Sequence, residues 1–152
     1  MAMAKRDLDS ITTIIIHCSA TPPDRDVSVQ DIDSWHRKRG FDEIGYHYFV
    51  DIHGSVHKGR ALDRVGSHAR RHNMNSIGIC YAGGCDHDLL PLDTLTELQH
   101  EAITALILGL GLTLQKPLSV IGHNEVSEKA CPSFDVQTKF WPCQLLLEQR
   151  YC

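Results

Sequence analysis

Short apolar runs mark the strands that this sequence predicts. Residues 12–17 form a β-branched run typical of a strand that is buried on both faces. Residues 76–82 predict another strand, and a further apolar run ends at His123. Residues 46–52 and 55–58 predict a hairpin that turns at the intervening His-Gly pair. The segments between these strands carry helical spacing, which indicates an alternating order of strands and helices.

Two of these segments have apolar residues at three- and four-residue intervals. Residues 28–39 predict a helix. The strongest helix is predicted to begin with a cap formed by Thr94 and Glu97. A pair of glycines, Gly109 and Gly111, marks its predicted end. Its predicted apolar stripe consists of Leu95, Leu98, Ala102, Ala105, Leu106 and Leu110.

The carboxyl-terminal part of the chain predicts a further helical segment. Asp135 is its predicted cap, and Pro142 either kinks this helix or opens a second short one. The whole pattern indicates one α/β domain over residues 1–152, with a central mixed β-sheet flanked by α-helices. Residues 1–10 are expected to form a flexible tail.

Composition and charge narrow the class of protein. The 152 residues are 42% hydrophobic and 22% charged, which is ordinary for one soluble domain. The net charge of −4 provides no broad electrostatic surface for nucleic acid. Basic residues are nevertheless concentrated in one stretch, residues 58–71. This stretch is interpreted either as a solvated loop face or as a surface that attracts an acidic polymer.

The amino-terminal ten residues lack the apolar core of a secretory signal, and no window is apolar enough to span a membrane. Synthesis in the cytoplasm, without a signal peptide and without membrane insertion, is therefore expected. The six cysteines are expected to be reduced there. Cys18 follows His17 on a predicted strand, so its side chain should point to the opposite face.

Three residues form a candidate metal site. His17 and His123 each end an apolar run, and Cys131 follows in a loop that contains a proline. Imidazole nitrogen and thiolate sulfur are ligands that zinc prefers, and three protein ligands are typical of a catalytic zinc site. The alternative is that two half-buried histidines are held by hydrogen bonds and that the cysteine belongs to the core.

Several motifs around these residues occur in the order found in one enzyme family. They are Ile16-His17-Cys18-Ser19-Ala20-Thr21, Trp35-His36, Gly40-Phe41-Asp42-Glu43-Ile44-Gly45-Tyr46-His47, Gly66-Ser67-His68-Ala69, Asn75-Ser76-Ile77-Gly78-Ile79-Cys80, Gly122-His123-Asn124-Glu125-Val126 and Lys129-Ala130-Cys131-Pro132-Ser133-Phe134-Asp135. In these motifs the chain resembles the zinc-dependent N-acetylmuramoyl-L-alanine amidases. The likeness is to the small phage-lysozyme type, which is related to peptidoglycan recognition proteins, and it covers nearly the whole chain.

The resemblance implies the same α/β fold and a single catalytic Zn²⁺ held by His17, His123 and Cys131. It implies hydrolysis of the amide between the lactyl group of N-acetylmuramic acid and L-alanine. Lys129, two residues before Cys131, is placed to stabilise the oxyanion, and Tyr46 offers a phenol to the attacking water or the intermediate. The resemblance also assigns catalytic importance to both positions. The general base stays open between metal-activated solvent acting with Tyr46 and a relay of waters.

The remaining motif residues are predicted to hold the substrate. His36, His47, His68 and Asn75 match positions that line the binding groove in the wider family. Each could instead be a surface residue or a hydrogen-bond partner of a metal ligand, since a zinc-bound histidine normally donates its other ring N–H to such a partner. No pair of carboxylates suits a glycosidase.

The sequence leaves two alternatives to an amidase. The first is a peptidoglycan-binding module without activity, although non-catalytic relatives lose the cysteine that stands here at position 131. The second is an additional role as inhibitor of a phage RNA polymerase, which the resemblance implies only weakly. The resemblance further implies a monomeric phage or prophage endolysin. Such a protein would reach the cell wall after release through a membrane that a separate agent permeabilises.

Overall fold

The computed structural model describes residues 4–152 as one α/β fold. Its elements are β1 (Thr13–Cys18), α1 (Val29–Lys38), β2 (Tyr48–Val50), β3 (Val56–Lys58), β4 (Ser76–Tyr81), α2 (Glu97–Leu114), β5 (Ser119–Gly122) and α3 (Val136–Tyr151), with short 3₁₀ turns at Leu8–Ser10 and His123–Glu125. Within the described residues, none of the helices combines the length and hydropathy that a membrane span requires.

The five strands form one mixed sheet in the order β3-β2-β4-β1-β5. β1 pairs in parallel with β4 and with β5, β2 pairs in parallel with β4, and only the β2–β3 hairpin is antiparallel. The predicted fold class is therefore confirmed. Because β1, β4 and β5 run in the same direction, their carboxyl ends meet at one edge of the sheet.

The two faces of the sheet are covered differently. Ile14, Ile16, Ile77 and Ile79 are fully buried in the larger core, which also contains the apolar residues of α2 and α3. The opposite face carries a smaller core in which Phe49 and Cys80 pack with residues of α1. Alternation along β1 points His17 to this second face.

The predicted start and end of the strongest helix are wrong. α2 begins after Thr96, whose side chain accepts from the Gln99 backbone N–H in a complete capping box. Thr94 is engaged elsewhere, because its hydroxyl oxygen accepts from the backbone N–H of Gly84 at 2.8 Å. The helix also continues through both glycines. At Gly111 the missing side chain leaves room for Leu147 of α3, so this glycine serves helix packing.

The predicted apolar stripe of α2 is correct for four of its six residues. Leu98, assigned to the apolar stripe, is 59% exposed, and Ala105 is exposed as well. The other members are placed as predicted: Leu110 is buried, and Leu95, Ala102 and Leu106 are partly buried against the larger core. The same face also carries the buried Ile103 and Ile107, which the predicted stripe omitted.

The last helix settles the alternatives at Pro142. α3 runs without interruption through this proline, and the Asp135 side chain accepts from the Gln137 backbone N–H as its cap. The predicted cap is therefore confirmed, and one helix rather than two occupies this region.

The expected flexible tail is only partly described, since residues 1–3 lie outside the described residues. The remainder is attached to the domain. The buried Arg6 guanidinium donates to the backbone carbonyls of Leu62, Met74 and Ser76 at 2.6–3.1 Å. A buried guanidinium requires such acceptors, so residues 4–10 form part of the folded domain.

Candidate metal centre and catalytic cleft

The three predicted ligands converge at the carboxyl edge of the sheet. One donor atom from each of His17, His123 and Cys131 lies within 4.8 Å of the other two. β1 supplies the first, and the second follows β5 directly. Because Ile16 pairs with Gly122 across these neighbouring strands, the next residue of each strand emerges at the same place. The ring centroids of the two histidines are 4.5 Å apart.

The ring of His17 has a defined orientation. Its Nδ1 lies 3.7 Å from Cys131 Sγ, and its Nε2 lies 2.7 Å from Nδ1 of His68. Nδ1 is therefore the nitrogen on the side of the sulfur. Two imidazoles and one thiolate at these separations fit the donor set that zinc takes in catalytic sites. The residues present thus fit the metal that the sequence predicts.

Cys18 points to the opposite face of β1 from His17, as predicted, yet its thiol lies next to a candidate ligand. Its side chain belongs to the larger core on the opposite face of β1, and β1 ends at this residue. The Cys18 backbone N–H donates to Cys131 Sγ at 3.2 Å, and the two thiols are neighbours. A backbone donor of this kind favours negative charge on the ligand sulfur.

The environment keeps both histidines neutral at ordinary pH. Burial, assisted by His68 and His123, holds the pKa of His17 well below its usual value. Burial and then the Lys129 ammonium lower the pKa of His123. Contact with the Cys18 thiol, with burial, raises the pKa of Cys131. His17 and His123 would therefore serve as neutral ligands to a metal ion, whereas the Cys131 thiol would have to lose its proton to become one.

A cavity of about 240 Å³ opens beside the candidate metal centre. Its walls include two ligands, both predicted catalytic residues and two predicted substrate residues, namely His123, Cys131, Tyr46, Lys129, His36 and His68. We call this cavity the cleft. It brings six residues from distant parts of the chain to one place.

Tyr46 packs over the centre. Its ring centroid lies 5.0 Å from that of His17 and 5.3 Å from that of His36. Burial, followed by the nearby thiols of Cys80 and Cys131, raises its pKa well above the usual value. The phenol therefore keeps its proton and can donate a hydrogen bond. Lys129 is exposed at the rim of the same cleft.

His36 presents one ring nitrogen to the cleft. Its Nδ1 accepts from the Gly45 backbone N–H at 2.8 Å, so in the neutral ring the proton is on Nε2. Burial and then the Arg39 charge lower its pKa to about 4. His36 is therefore a neutral donor in the cleft wall.

Two of the predicted substrate residues are not in the cleft. The His47 side chain is 0% exposed, its Nδ1 accepts from the Gly78 N–H, and its Nε2 donates to the Arg64 carbonyl. Asn75 precedes β4, at the opposite end of the sheet from the candidate metal centre, and donates to the Ser10 carbonyl. The predictions of substrate contact for His47 and Asn75 are therefore wrong, because backbone partners engage both side chains elsewhere.

The cleft is also lined by residues to which sequence reasoning gave no role, and two of them have large side chains. Arg39 and Phe41 flank the glycine after α1, and the guanidinium carbon lies 5.3 Å from the ring centroid. Phe41 belongs to a matching motif, which is a signal that could have identified it. Both residues also line an adjoining cavity of about 290 Å³ together with Arg70.

The basic residues of the stretch 58–71 differ in their exposure to solvent. Arg60 is buried, and its guanidinium donates to the backbone carbonyls of Ile44 and Val65 at 2.8 and 2.7 Å. It is therefore neither a solvated residue nor an attractor of polymer. Arg70 is exposed beside the cleft, where its charge is available to an acidic ligand.

Comparison with known proteins identifies close relatives. Residues 7–134 match the profile of the Amidase_2 family, described as N-acetylmuramoyl-L-alanine amidase. The chain is 38% identical to the endolysin of Escherichia phage T7 over 133 residues, which are 88% of this chain and 87% of that protein. It is 39% identical to the endolysin of Enterobacteria phage K11 over 122 residues, 80% of either protein.

A solved structure supports the same assignment. The endolysin amidase LysCS from Clostridium intestinale aligns with a TM-score of 0.76 at 26% identity, over 97% of this chain and 90% of that one. The similarity therefore extends over the sheet, the helices and the loops that carry the cleft.

Proposed function

Because the chain belongs to the Amidase_2 family and is an N-acetylmuramoyl-L-alanine amidase that cleaves peptidoglycan, we propose that its activity depends on one zinc ion held by His17, His123 and Cys131. The observation that carries this proposal is the approach of the three donor atoms to within 4.8 Å of one another. The orientation of His17 supports it further, since Nδ1 faces the ligand sulfur while Nε2 already has a partner.

Zinc in such a site polarises the amide carbonyl and lowers the pKa of a water. The protein supplies the other functions. The Lys129 ammonium, at the rim of the cleft, donates to the carbonyl oxygen as this oxygen gains negative charge. Removal of one oxyanion donor from an enzyme costs about 10²- to 10³-fold in rate.

Tyr46 is the second catalytic residue of the proposal. Its phenol keeps its proton and borders the same cleft, so it donates a hydrogen bond to an oxygen atom of the reacting amide or of the attacking water and restricts its position. The contact between its ring and the ring of His17 holds the phenol beside the ligands.

We propose that the cleft holds the muramoyl-peptide through His36, Arg39 and Phe41. The His36 Nε2–H is a neutral donor, the Arg39 guanidinium carries a positive charge, and the Phe41 ring offers an apolar surface. These three groups suit a ligand that combines sugar hydroxyls, amides and carboxylates.

The setting that we propose is that of a monomeric phage endolysin, which is made in the cytoplasm and acts on the wall after a separate agent permeabilises the membrane. An additional interaction with a phage RNA polymerase stays a prediction. A transcription assay with purified polymerase checks it, and an unchanged transcript yield at rising protein concentration would dismiss it.

Product analysis of digested peptidoglycan tests the proposed bond specificity. Purified sacculi treated with the protein are expected to release L-alanine amino termini, detected by dinitrophenylation, without new reducing sugar ends. Treatment with the Cys131→Ser variant is the control and is expected to release neither. New reducing ends without free L-alanine amino groups would show that a glycosidic bond is cut.

A further inference from the structure

A chain of hydrogen bonds leads from a candidate ligand back into the sheet. His17 Nε2 lies 2.7 Å from His68 Nδ1, His68 Nε2 lies 3.3 Å from Ser76 Oγ, and Ser76 Oγ lies 2.7 Å from the carbonyl oxygen of His72. The last of these atoms can only accept a hydrogen bond. It therefore sets the direction of every bond in the chain.

Following that direction gives one arrangement of protons. The Ser76 hydroxyl donates to the carbonyl, so its oxygen accepts from the Nε2–H of His68. In the neutral ring, Nδ1 of His68 is then without a proton and accepts from the Nε2–H of His17. Nδ1 of His17, the nitrogen beside Cys131, is thereby left with its lone pair free.

Two glycines form a socket for the ring of His68. A Cβ atom at position 78 would lie 2.7 Å from His68 Cγ and Cδ2, and a Cβ at position 66 would lie 2.6 Å from Cδ2. Neither glycine has a positive φ angle, so backbone conformation does not require them. Both positions instead have to be free of a side chain because the ring occupies that space.

The backbone of the same segment is also fixed. The side-chain oxygen of Asn73 accepts from the backbone N–H groups of His68 and Ala69, both at 2.9 Å. The ring is thus held from two sides by glycines, and its main chain is held by an amide. Packing and hydrogen bonds of this kind fix the orientation of the His68 ring.

We propose that His68 is a positioning residue that selects the tautomer and orientation of the metal ligand His17, with Gly66 and Gly78 as its socket. This inference rests on the proposed zinc dependence and differs from the substrate contact that the sequence predicts for His68. Both of its ring nitrogens have protein partners, which leaves no hydrogen-bonding atom of the ring for substrate. Partners of this kind change metal affinity about 10- to 100-fold when they are removed.

Zinc affinity, measured on metal-free protein by competition with a chromophoric chelator, tests the proposal. His68→Leu is expected to weaken zinc binding about 10- to 100-fold and to shift the visible spectrum of the cobalt-substituted protein. His68→Asn is expected to recover most of the affinity, because its amide oxygen can take the place of Nδ1. Gly78→Ala is expected to weaken zinc binding although residue 78 contacts no ligand.

Two controls accompany these variants. Gly109→Ala adds a methyl group that meets nothing within 4 Å, so it is expected to leave zinc affinity unchanged. If Gly78→Ala fails to fold, as judged by circular dichroism, Ser76→Ala replaces it and is expected to weaken zinc binding several-fold. Sedimentation of the metal-free variants with insoluble peptidoglycan is expected to match that of the unmodified protein.

Wild-type zinc affinity in His68→Leu, together with lost sedimentation of the metal-free variant, would overturn the inference and return His68 to the substrate residues. That outcome leaves the zinc proposal intact. Absence of zinc binding by the unmodified protein, in contrast, would end the proposed function itself.

Discussion

Cys131→Ser is expected to lose stoichiometric zinc and at least about 10³-fold of its amidase activity. The serine hydroxyl is almost the same size as the thiol but does not ionise near neutral pH, so it cannot replace a thiolate ligand. The sulfur also accepts a hydrogen bond from the Cys18 backbone N–H. This hydrogen bond is stronger when the acceptor is a charged thiolate than when it is a neutral hydroxyl. Metal content by mass spectrometry and release of L-alanine amino termini are the two measurements.

Cys143→Ser is the matched control for this variant. Cys143 is a buried cysteine, whereas Cys131 is half-buried, and it lies in α3 and not in the cleft. Its replacement is expected to lower the free energy of unfolding while zinc content and activity persist. Equal zinc content in Cys131→Ser and in the unmodified protein would remove Cys131 from the ligand set.

Lys129→Ala is expected to lower kcat about 10²- to 10³-fold while zinc content stays at one ion per chain. The ammonium is exposed at the rim of the cleft, so its loss opens no cavity in the core. It acts on the charge that develops on the carbonyl oxygen, and such an interaction contributes to the transition state more than to the bound substrate. KM is therefore expected to change much less than kcat. Steady-state kinetics on a soluble muramoyl-peptide measure both.

Lys58→Ala serves as the control, since Lys58 is an exposed lysine at the end of β3 and outside the cleft. Its kinetics are expected to equal those of the unmodified protein. A Lys129→Ala variant with full kcat would show that the carbonyl oxygen is stabilised without this ammonium. Loss of zinc from that variant would instead assign Lys129 a structural role at the centre.

The sequence predicts the candidate metal centre better than it predicts the helix boundaries. His17 and His123 end apolar runs, and strands that run in parallel bring their carboxyl ends to one edge, so their meeting follows from periodicity and topology. At α2 the sequence offers two local solutions, Thr94 with Glu97 and Thr96 with Gln99. The N–H of Gly84, ten residues away from Thr94, decides between them, and local spacing contains no information about that contact.

For two histidines of the matching motifs, local sequence likewise does not reveal the partners of the side chain. His47 and His68 both follow a glycine by two residues, and the sequence gives them one predicted role. Their partners differ because both rings contact Gly78 of β4 in different ways. The Gly78 backbone N–H donates to the His47 ring, whereas the His68 ring occupies the space that a side chain at position 78 would fill. Arg6 is a further case. Its acceptors are carbonyls more than fifty residues away, so the sequence alone indicates only a polar tail.

Zinc content measured together with activity tests the central claim most directly. Protein treated with a chelator is expected to be inactive, and titration with zinc is expected to restore activity in proportion until one ion is bound per chain. The Cys131→Ser variant, treated in the same way, is expected to remain inactive. Full activity in chelated protein with no measurable metal would contradict the account.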